Sequence, residues 1–217
     1  MKSSLTIALP KGRVLRAVAP LLAQAGVDAS VLLADDRTLV RESVAAGLRF
    51  LLLKPDDVPT YVEYGAADLG VCGRDVLLER LSDVYQPLDL EIGKCRMVVA
   101  GVANRPEPPG VPRVATKYPR IAAEHFTRRG VQADIIHVQG SVELAPLTGL
   151  SDLIVDLVET GATLTQNGLE EREQIARVSS MLIANRSAYK LRQDRVRELV
   201  DLLRKAVGSM AVGSKAP

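Results

Sequence analysis

The chain has 217 residues, of which 47% are hydrophobic and 25% charged, and its 28 basic residues nearly balance its 26 acidic ones. These proportions predict a globular protein of one or two compact lobes. Apolar runs are too short for a membrane span, and no basic run is interleaved with aromatic residues, so membrane and nucleic-acid binding are not expected. The two cysteines lack metal-ligand spacing and the N-terminus lacks the features of a secretory signal, so we expect reduced thiols and a cytoplasmic protein.

Short apolar runs alternate with helical patterns along the chain. Strands are predicted at residues 5–9, 31–33, 50–53, 69–72, 97–102, 111–115, 135–138, 153–158 and 178–184. A helix is predicted over residues 14–25, and a long amphipathic helix over residues 187–207. This alternation favours an α/β fold.

A polar turn around Gly93 marks the predicted domain boundary. The first lobe then comprises residues 1–93 and the second lobe residues 94–178. The chain returns to the first lobe with residues 179 to about 207. The remaining residues, 208–217, are small and polar, which predicts a disordered tail.

Residues 152–169, with the core IVDLVETGATL, form the most informative segment. An apolar strand leads into a polar turn whose glycine lets successive backbone amides face one point, which suits a phosphate monoester. The turn consists of Glu159, Thr160, Gly161, Ala162 and Thr163. Asp156, near the carboxyl end of the strand, is expected to accept hydrogen bonds from ribose hydroxyls. The alternative is a plain threonine helix cap, but the apolar run and the acid before the turn favour the phosphate site.

The first predicted strand is followed by Lys11, Gly12 and Arg13 at the start of a helix. Cations are unfavourable at a helix N-terminus, so their presence there suggests an anionic partner such as a polyphosphate. A pair of solvated surface cations is the equally open alternative. The segment lacks the second glycine and the hydroxyl of a P-loop.

Other candidate residues are open to two readings. Gly73 and Asp75, in a second turn between strand and helix, either contact a ligand or form an ordinary turn. Glu143 either faces a ligand or belongs to a helix start capped by Ser141. Taken singly, the arginines between residues 37 and 49 read as surface charges; these are Arg37, Arg41 and Arg49.

Four strings together, ALPKGRV, DDVPTYVEYGAADLGVCGRDVL, KYPRIA and GSVELAPLTGLSDLIVDLVETGATLTQNGL, resemble the ATP phosphoribosyltransferase family, the first enzyme of histidine biosynthesis. The resemblance covers essentially the whole chain. It implies a two-lobed, periplasmic-binding-protein-like (type II) α/β fold with the active site in the cleft between the lobes. It also implies that N1 of ATP is joined to C1 of phosphoribosyl pyrophosphate with release of pyrophosphate. Mg²⁺ would be bound mainly by the substrate polyphosphate, with no direct protein ligands.

The chain length implies the short form of the family, which acts in a hetero-oligomer with a regulatory subunit similar to histidyl-tRNA synthetase. Because adenine N1 is already nucleophilic, the reaction needs no strong general base, and catalysis is expected to be electrostatic.

The resemblance also implies roles for individual residues. Arg13 and Arg37 would stabilise the leaving pyrophosphate, and Asp156 would contact the bound substrates. Residues 160–163 would hold the 5-phosphate, and Tyr118 lies where adenine stacks. Three further residues would line the nucleotide side, namely Lys11, Gly73 and Asp75.

Two other classes of function compete with this one. A phosphoribosyltransferase for another base would carry the same ribose-phosphate turn. A solute-binding protein or a regulator's effector domain would share the two-lobed architecture, because fold alone does not fix function. The absence of a recognisable secretory signal argues against the transporter component, and the lack of a helix-turn-helix segment before the first strand argues against the regulator.

Overall fold

The computed structural model describes residues 4–34, 36–106 and 109–213. The described residues form a mixed α/β structure, as predicted. The strands are β1 (Leu5–Pro10), β2 (Val40–Ser43), β3 (Leu48–Leu53), β4 (Leu69–Gly73), β5 (Tyr85–Asp89), β6 (Cys95–Val102), β7 (Arg113–Thr116), β8 (Asp134–His137), β9 (Leu153–Val158), β10 (Leu169–Val178) and β11 (Ser180–Ala184).

The α-helices are α1 (Arg13–Gln24), α2 (Val58–Glu63), α3 (Arg74–Arg80), α4 (Pro119–Arg128), α5 (Leu144–Leu147), α6 (Ala162–Gln166), α7 (Arg186–Leu191) and α8 (Gln193–Gly213). Short 3₁₀ helices occupy Ser30–Leu33 and Pro55–Asp57. The chain divides into two compact units, one made of Met1–Gly93 with Ser179–Pro217 and the other of Lys94–Val178.

The first unit is built on a six-stranded sheet in the order β2-β3-β1-β4-β11-β5. β1 is parallel to both β3 and β4, so the carboxyl ends of these three strands lie at one edge of the sheet. β2 is antiparallel to β3, with Val40 opposite Leu51, so the residues just before β2 lie at the same edge. Loops at the carboxyl ends of parallel strands are where α/β sheets usually bind ligands.

The central strands of this sheet pack on both faces, since successive side chains point to opposite faces and both sets are largely buried in β1. Ile7 and Leu9 of β1 belong to the larger core, which also contains apolar residues of α1 and α8 such as Leu21 and Leu199. Ala8, between them, belongs to a second core on the other face, with residues of α2 and α3.

The second unit contains a five-stranded sheet in the order β10-β6-β9-β7-β8. β7 is parallel to β8 and to β9, so these three strands also end at a common edge. β6 is antiparallel to both β9 and β10. The core of this unit includes Val98, Ala115, Ile154 and Leu164, which joins the sheet to α6.

Several predicted elements differ from the structure. The apolar run at residues 31–33 is a 3₁₀ helix and not a strand, while β2, β5 and β10 were not predicted. The run at residues 178–184 is divided, because β10 ends at Val178 and β11 begins at Ser180 in the other unit. The predicted long helix is interrupted at Arg192, which separates α7 from α8.

α8 extends into the segment that was predicted to be a disordered tail and ends at Gly213. Once a helix exists, each added residue contributes one further hydrogen bond, which favours its extension. Ala206, just before this segment, is buried, and the hydroxyl of Ser209 donates to the carbonyl of Lys205 at 3.0 Å. Residues 214–217 lie outside the described residues.

Candidate active site

The first unit contains a cavity of about 690 Å³ at the carboxyl edge of its sheet. Lys11, Gly12 and Arg37, three of the residues predicted from the sequence, line this cavity together with Arg16 and Arg41. The concentration of basic side chains favours a polyanionic ligand. Arg13 begins α1 next to the cavity-lining Gly12.

The turn after β1 is fixed by backbone geometry. The amide of Lys11 donates to the carbonyl of Leu53 at 2.9 Å, which ties the end of β1 to that of β3. Gly12 has a φ of +86°, a conformation that L-residues rarely adopt, and a side chain there would meet only open space. The glycine is therefore required by the path of the backbone, which leaves its surface open to a ligand.

The loop that carries Arg37 is held by Arg41 at the start of β2. Arg41 is only 8% exposed, and its guanidinium donates to the carbonyls of Val31 and Ala34 and to the carboxylate of Asp36. The reading of Arg41 as a surface charge is therefore wrong. The amide of Thr38 donates to Asp36 at 2.7 Å, and this hydrogen bond lowers the pKa of the Asp36 carboxyl.

Gly73 and Asp75 lie together at the end of β4, the neighbour of β1. Asp75 is 7% exposed, and its carboxylate folds back over Gly73: a Cβ added to the glycine would lie 2.0 Å from Asp75 Oδ1. Gly73 therefore has no room for a side chain. Neither residue is among those that line the basic cavity.

In the second unit, the ends of β7, β8 and β9 bring predicted residues to one edge of the sheet. Tyr118 follows β7, and its amide donates to the buried hydroxyl of Thr116 at 2.9 Å. Only 5% of Tyr118 is exposed, so stacking with adenine would require this side chain to turn outward. Glu143 precedes α5, and Ser141, with a φ of +48°, is not the cap of that helix as predicted.

Asp156 lies near the end of β9, and its carboxylate accepts a hydrogen bond from the amide of Leu157 at 2.8 Å. Burial raises the pKa of Asp156; the Leu157 amide opposes this shift, the negative charge of Glu143 adds to it and Lys117 also opposes it. These influences show that Glu143 and Lys117 share the electrostatic environment of Asp156. A partly buried carboxylate with few partners is suited to accept hydrogen bonds from sugar hydroxyls.

The turn after β9 has the geometry of an anion-binding loop. Gly161 has a φ of +89°, which turns the chain before α6 begins at Ala162. The amide of Ala162 donates to Thr160 Oγ1 at 3.3 Å, and Thr160 and Thr163 are both exposed. Because α6 has only five residues, backbone amides and hydroxyls contribute more to phosphate binding here than a long helix dipole would.

One residue that contacts this turn was not identified from the sequence. Arg96, on β6, donates from Nη1 to the carbonyl of Glu159 at 3.1 Å and from Nε to Glu171 at 2.8 Å. No pattern along the chain points to Arg96, because its partner Glu171 lies on β10, a strand that was not predicted.

Along residues 4–34, 36–106 and 109–213, none of the helices has the length and apolar character needed to cross a membrane. The same ranges hold no group of three or more His, Cys, Asp or Glu side chains arranged to bind a metal ion.

The second unit has a partly buried acid on a strand, followed directly by a glycine turn with two exposed hydroxyls. The first unit has a basic cavity. These features are typical of a phosphoribosyltransferase.

Comparison with known proteins defines the family. Residues 54–205 match the family model HisG, ATP phosphoribosyltransferase. The ATP phosphoribosyltransferase of Sorangium cellulosum is 61% identical over 206 residues, which cover 95% of this chain and 97% of that protein. The enzyme of Geobacter metallireducens is 47% identical over 212 residues, covering 95% of this chain and all of that protein.

Two solved structures are similar to this chain. A chain of the ATP phosphoribosyl transferase (HisG:HisZ) complex from Thermotoga maritima has 37% sequence identity and a TM-score of 0.82, with 94% of this chain and 97% of that chain covered. The periplasmic aliphatic sulphonate binding protein SsuA of Escherichia coli is 12% identical with a TM-score of 0.62, over 99% of this chain and 76% of that chain, a likeness of fold alone.

The chain belongs to the ATP phosphoribosyltransferase family, whose members catalyse the first step of histidine biosynthesis. It is a transferase of the pentosyltransferase kind, and the predicted periplasmic-binding-protein-like (type II) fold is confirmed.

Proposed function

We propose that this chain joins N1 of ATP to C1 of phosphoribosyl pyrophosphate, giving N1-(5-phosphoribosyl)-ATP and pyrophosphate. The turn from Glu159 to Thr163, with Asp156 on the strand before it, is the observation that carries this proposal. Membership of the family supports the same reaction.

The turn after β9 would bind the phosphoribosyl group. Its backbone amides and the hydroxyls of Thr160 and Thr163 supply donors for the 5-phosphate, and no lysine is needed to hold the dianion. Asp156 would accept hydrogen bonds from the ribose hydroxyls, and Glu143 shares its electrostatic environment. Each group thus acts on a part of the substrate that is not itself broken, which fixes C1 in position.

The barrier lies in separating pyrophosphate from a ribosyl carbon that gains positive charge. Adenine N1 is a neutral nucleophile, so proton removal contributes little and stabilisation of the leaving group contributes most. Arg13 and Arg37 would donate to the pyrophosphate oxygens, for which the guanidinium fork is well suited. Lys11, which lines the same cavity as Arg37, would add a point charge on the nucleotide side.

We further propose that Mg²⁺ accompanies the polyphosphate. Mg²⁺ keeps several water ligands and commonly binds through substrate phosphates with only one or two protein carboxylates. The carboxylates of Asp156 and Glu143 share one electrostatic environment and would hold the water shell of such an ion. When bound, the ion neutralises charge on the leaving pyrophosphate.

We also propose that the chain works in a hetero-oligomer with a regulatory subunit that resembles histidyl-tRNA synthetase, in the cytoplasm. The supporting observation is that 97% of a chain from the HisG:HisZ complex is covered by this chain. Regulation by the pathway's end product would then depend on the partner.

The test uses the purified chain with ATP, phosphoribosyl pyrophosphate and Mg²⁺, alone and with the partner protein. We expect phosphoribosyl-ATP to form, detected by its near-ultraviolet absorbance. Reactions in which adenine or hypoxanthine replaces ATP should give no nucleotide product. A lack of product from ATP under both conditions, or turnover of a free base, would exclude the proposal.

A further inference from the structure

Arg96 connects three strands of the second unit. It lies on β6, which pairs with β9 on one side and with β10 on the other. Two of its nitrogens, Nε and Nη2, lie 2.8 and 2.7 Å from Glu171 Oε2 on β10. The third, Nη1, donates to the carbonyl of Glu159, the first residue of the turn after β9, at 3.1 Å.

The bond to Glu159 fixes the direction of a peptide group. The peptide that joins Glu159 to Thr160 is trans, so its carbonyl and its N–H point in opposite directions. Because the carbonyl points to Arg96, the amide of Thr160 points away from Arg96. This orientation decides on which face of the turn the amide of Thr160 is presented as a donor.

The backbone after this peptide has little freedom to compensate for a rotation of the peptide. Gly161, with a φ of +89°, reverses the chain, and α6 begins at the next residue. Anion-binding turns depend on several successive amides that converge on one point, so rotation of the first peptide would spoil the set. The position of the Glu159 carbonyl is therefore the property that Arg96 controls.

We propose that Arg96 is a positioning residue for the 5-phosphate turn, acting through the Glu159 carbonyl while Glu171 holds its guanidinium in place. The inference rests on the proposed function, because it presumes that the turn binds the 5-phosphate. Lysine keeps the positive charge, but it lacks the rigid planar fork with which the arginine guanidinium bonds a carbonyl and a carboxylate at once. Arg96→Lys therefore removes the geometry and retains the cation.

Arg172 provides a matched control in the same unit. Its side chain is 30% exposed, against 32% for Arg96, and its Nη1 lies 2.8 Å from a carboxylate oxygen of Glu170. Its other bonds go to the carbonyls of Val102 and Arg105, instead of to the turn after β9. Arg172→Lys thus removes a comparable set of contacts at a distance from the proposed phosphate site.

The experiment measures the Kd of ribose 5-phosphate and the Kd of ATP by calorimetry on the full chain. For Arg96→Lys we expect the Kd of ribose 5-phosphate to rise about tenfold, with that of ATP within about twofold of wild type. Arg172→Lys should leave both constants unchanged. A simple loss of stability would instead weaken both ligands, or affect both variants equally.

The possible outcomes separate the two claims. The role of Arg96 alone is overturned if the wild-type protein binds ribose 5-phosphate and the Arg96→Lys variant binds it equally well. It is also overturned if the control Arg172→Lys weakens this binding as much as Arg96→Lys does. Wild-type protein that binds neither ribose 5-phosphate nor phosphoribosyl pyrophosphate overturns the proposed function and this inference with it. If Arg96→Lys fails to fold, Glu171→Gln decides: weaker binding of ribose 5-phosphate supports the role, and unchanged binding overturns it.

Discussion

Arg41 Nη2 lies 3.0 Å from a carboxylate oxygen of Asp36, the residue directly before Arg37. The same nitrogen donates to the carbonyl of Ala34 at 2.9 Å, so one buried guanidinium holds the segment that carries the proposed leaving-group residue. The position of Arg37 therefore depends on a side chain that itself need not touch a substrate.

Arg41→Lys should reduce both stability and catalysis. A lysine leaves at least one of the carbonyls of Val31 and Ala34 without its donor, so we expect the free energy of unfolding to fall by roughly 1–3 kcal/mol, measured by urea denaturation. We also expect a lower kcat/KM, because the loop with Arg37 is released. Arg49→Lys is the control: Arg49 is 50% exposed and its Nε lies 4.0 Å from Glu42, so its effect should stay within about 0.5 kcal/mol. Equal destabilisation by both changes would contradict the anchoring role of Arg41.

Arg37→Ala should slow the chemical step more than it weakens binding. The guanidinium is expected to act on charge that develops as pyrophosphate leaves, so its removal should lower the single-turnover rate by roughly 100- to 1000-fold. The Kd of each substrate, measured by calorimetry, should change far less. Equal losses in rate and in affinity would show that Arg37 contributes only to ground-state binding.

Asp156→Asn should separate stability from activity. Burial raises the pKa of Asp156 above its ordinary value of 3.8, so the ionised carboxylate destabilises the fold at neutral pH. The asparagine variant should therefore be more stable than wild type at pH 7. This gain should fade as the pH falls through the raised pKa and vanish below about 4, where the carboxyl is protonated in both states. Activity should fall, because an amide is a weaker acceptor for ribose hydroxyls.

Asp152→Asn should change the stability in the opposite direction from Asp156→Asn. The Arg113 side chain donates to both carboxylate oxygens, and these bonds lower the pKa of Asp152. Its ionised form therefore stabilises the fold above the ordinary pKa, and this contribution is lost as the pH falls through the lowered one. Thermal denaturation between pH 3 and 7 should show Asp152→Asn less stable than wild type at neutral pH. If both variants shift in the same direction, the assignment of these two environments is wrong.

Gly161→Ala should weaken the phosphoribosyl site through backbone strain. The nearest atom to an added Cβ is Arg96 Nη2 at 3.8 Å, so the cost comes from the positive φ, and we expect about 1–2 kcal/mol. Gly130→Ala is the matched control, since Gly130 has a φ of +69°, an added Cβ there would meet only open space, and it lies two residues after α4. Both variants should lose similar stability in urea denaturation, but only Gly161→Ala should bind ribose 5-phosphate more weakly. If both variants bind ribose 5-phosphate equally well, the turn at Gly161 is not the site that binds its phosphate.

The sequence predicts best where strands are buried on both sides. β1, β4 and β9 are central strands with continuous apolar runs, and the polar turns that follow β1 and β9 stand out against them. The three unpredicted strands, β2, β5 and β10, all lie at sheet edges, where a strand has one neighbour and needs fewer apolar residues. β10 begins LEEREQ, a charged pattern that does not look like a strand in isolation.

The residues that hold the site together were harder to predict than those expected to touch substrate. Arg41 and Arg96 act through bonds to main-chain carbonyls, and a carbonyl leaves no trace in the amino-acid sequence. Arg41 lies on an unpredicted strand, and Arg96 has its carboxylate partner on another. Spacing along the chain cannot reveal such contacts, because they depend on which strands become neighbours.

Mass spectrometry of the nucleotide formed from ATP and phosphoribosyl pyrophosphate with Mg²⁺ tests the proposed reaction most directly. We expect a product that keeps the whole triphosphate of ATP and gains one phosphoribosyl group, with one pyrophosphate released for each product molecule. Conversion of ATP to ADP or AMP without gain of a phosphoribosyl group, or a product formed only from a free base, would contradict it.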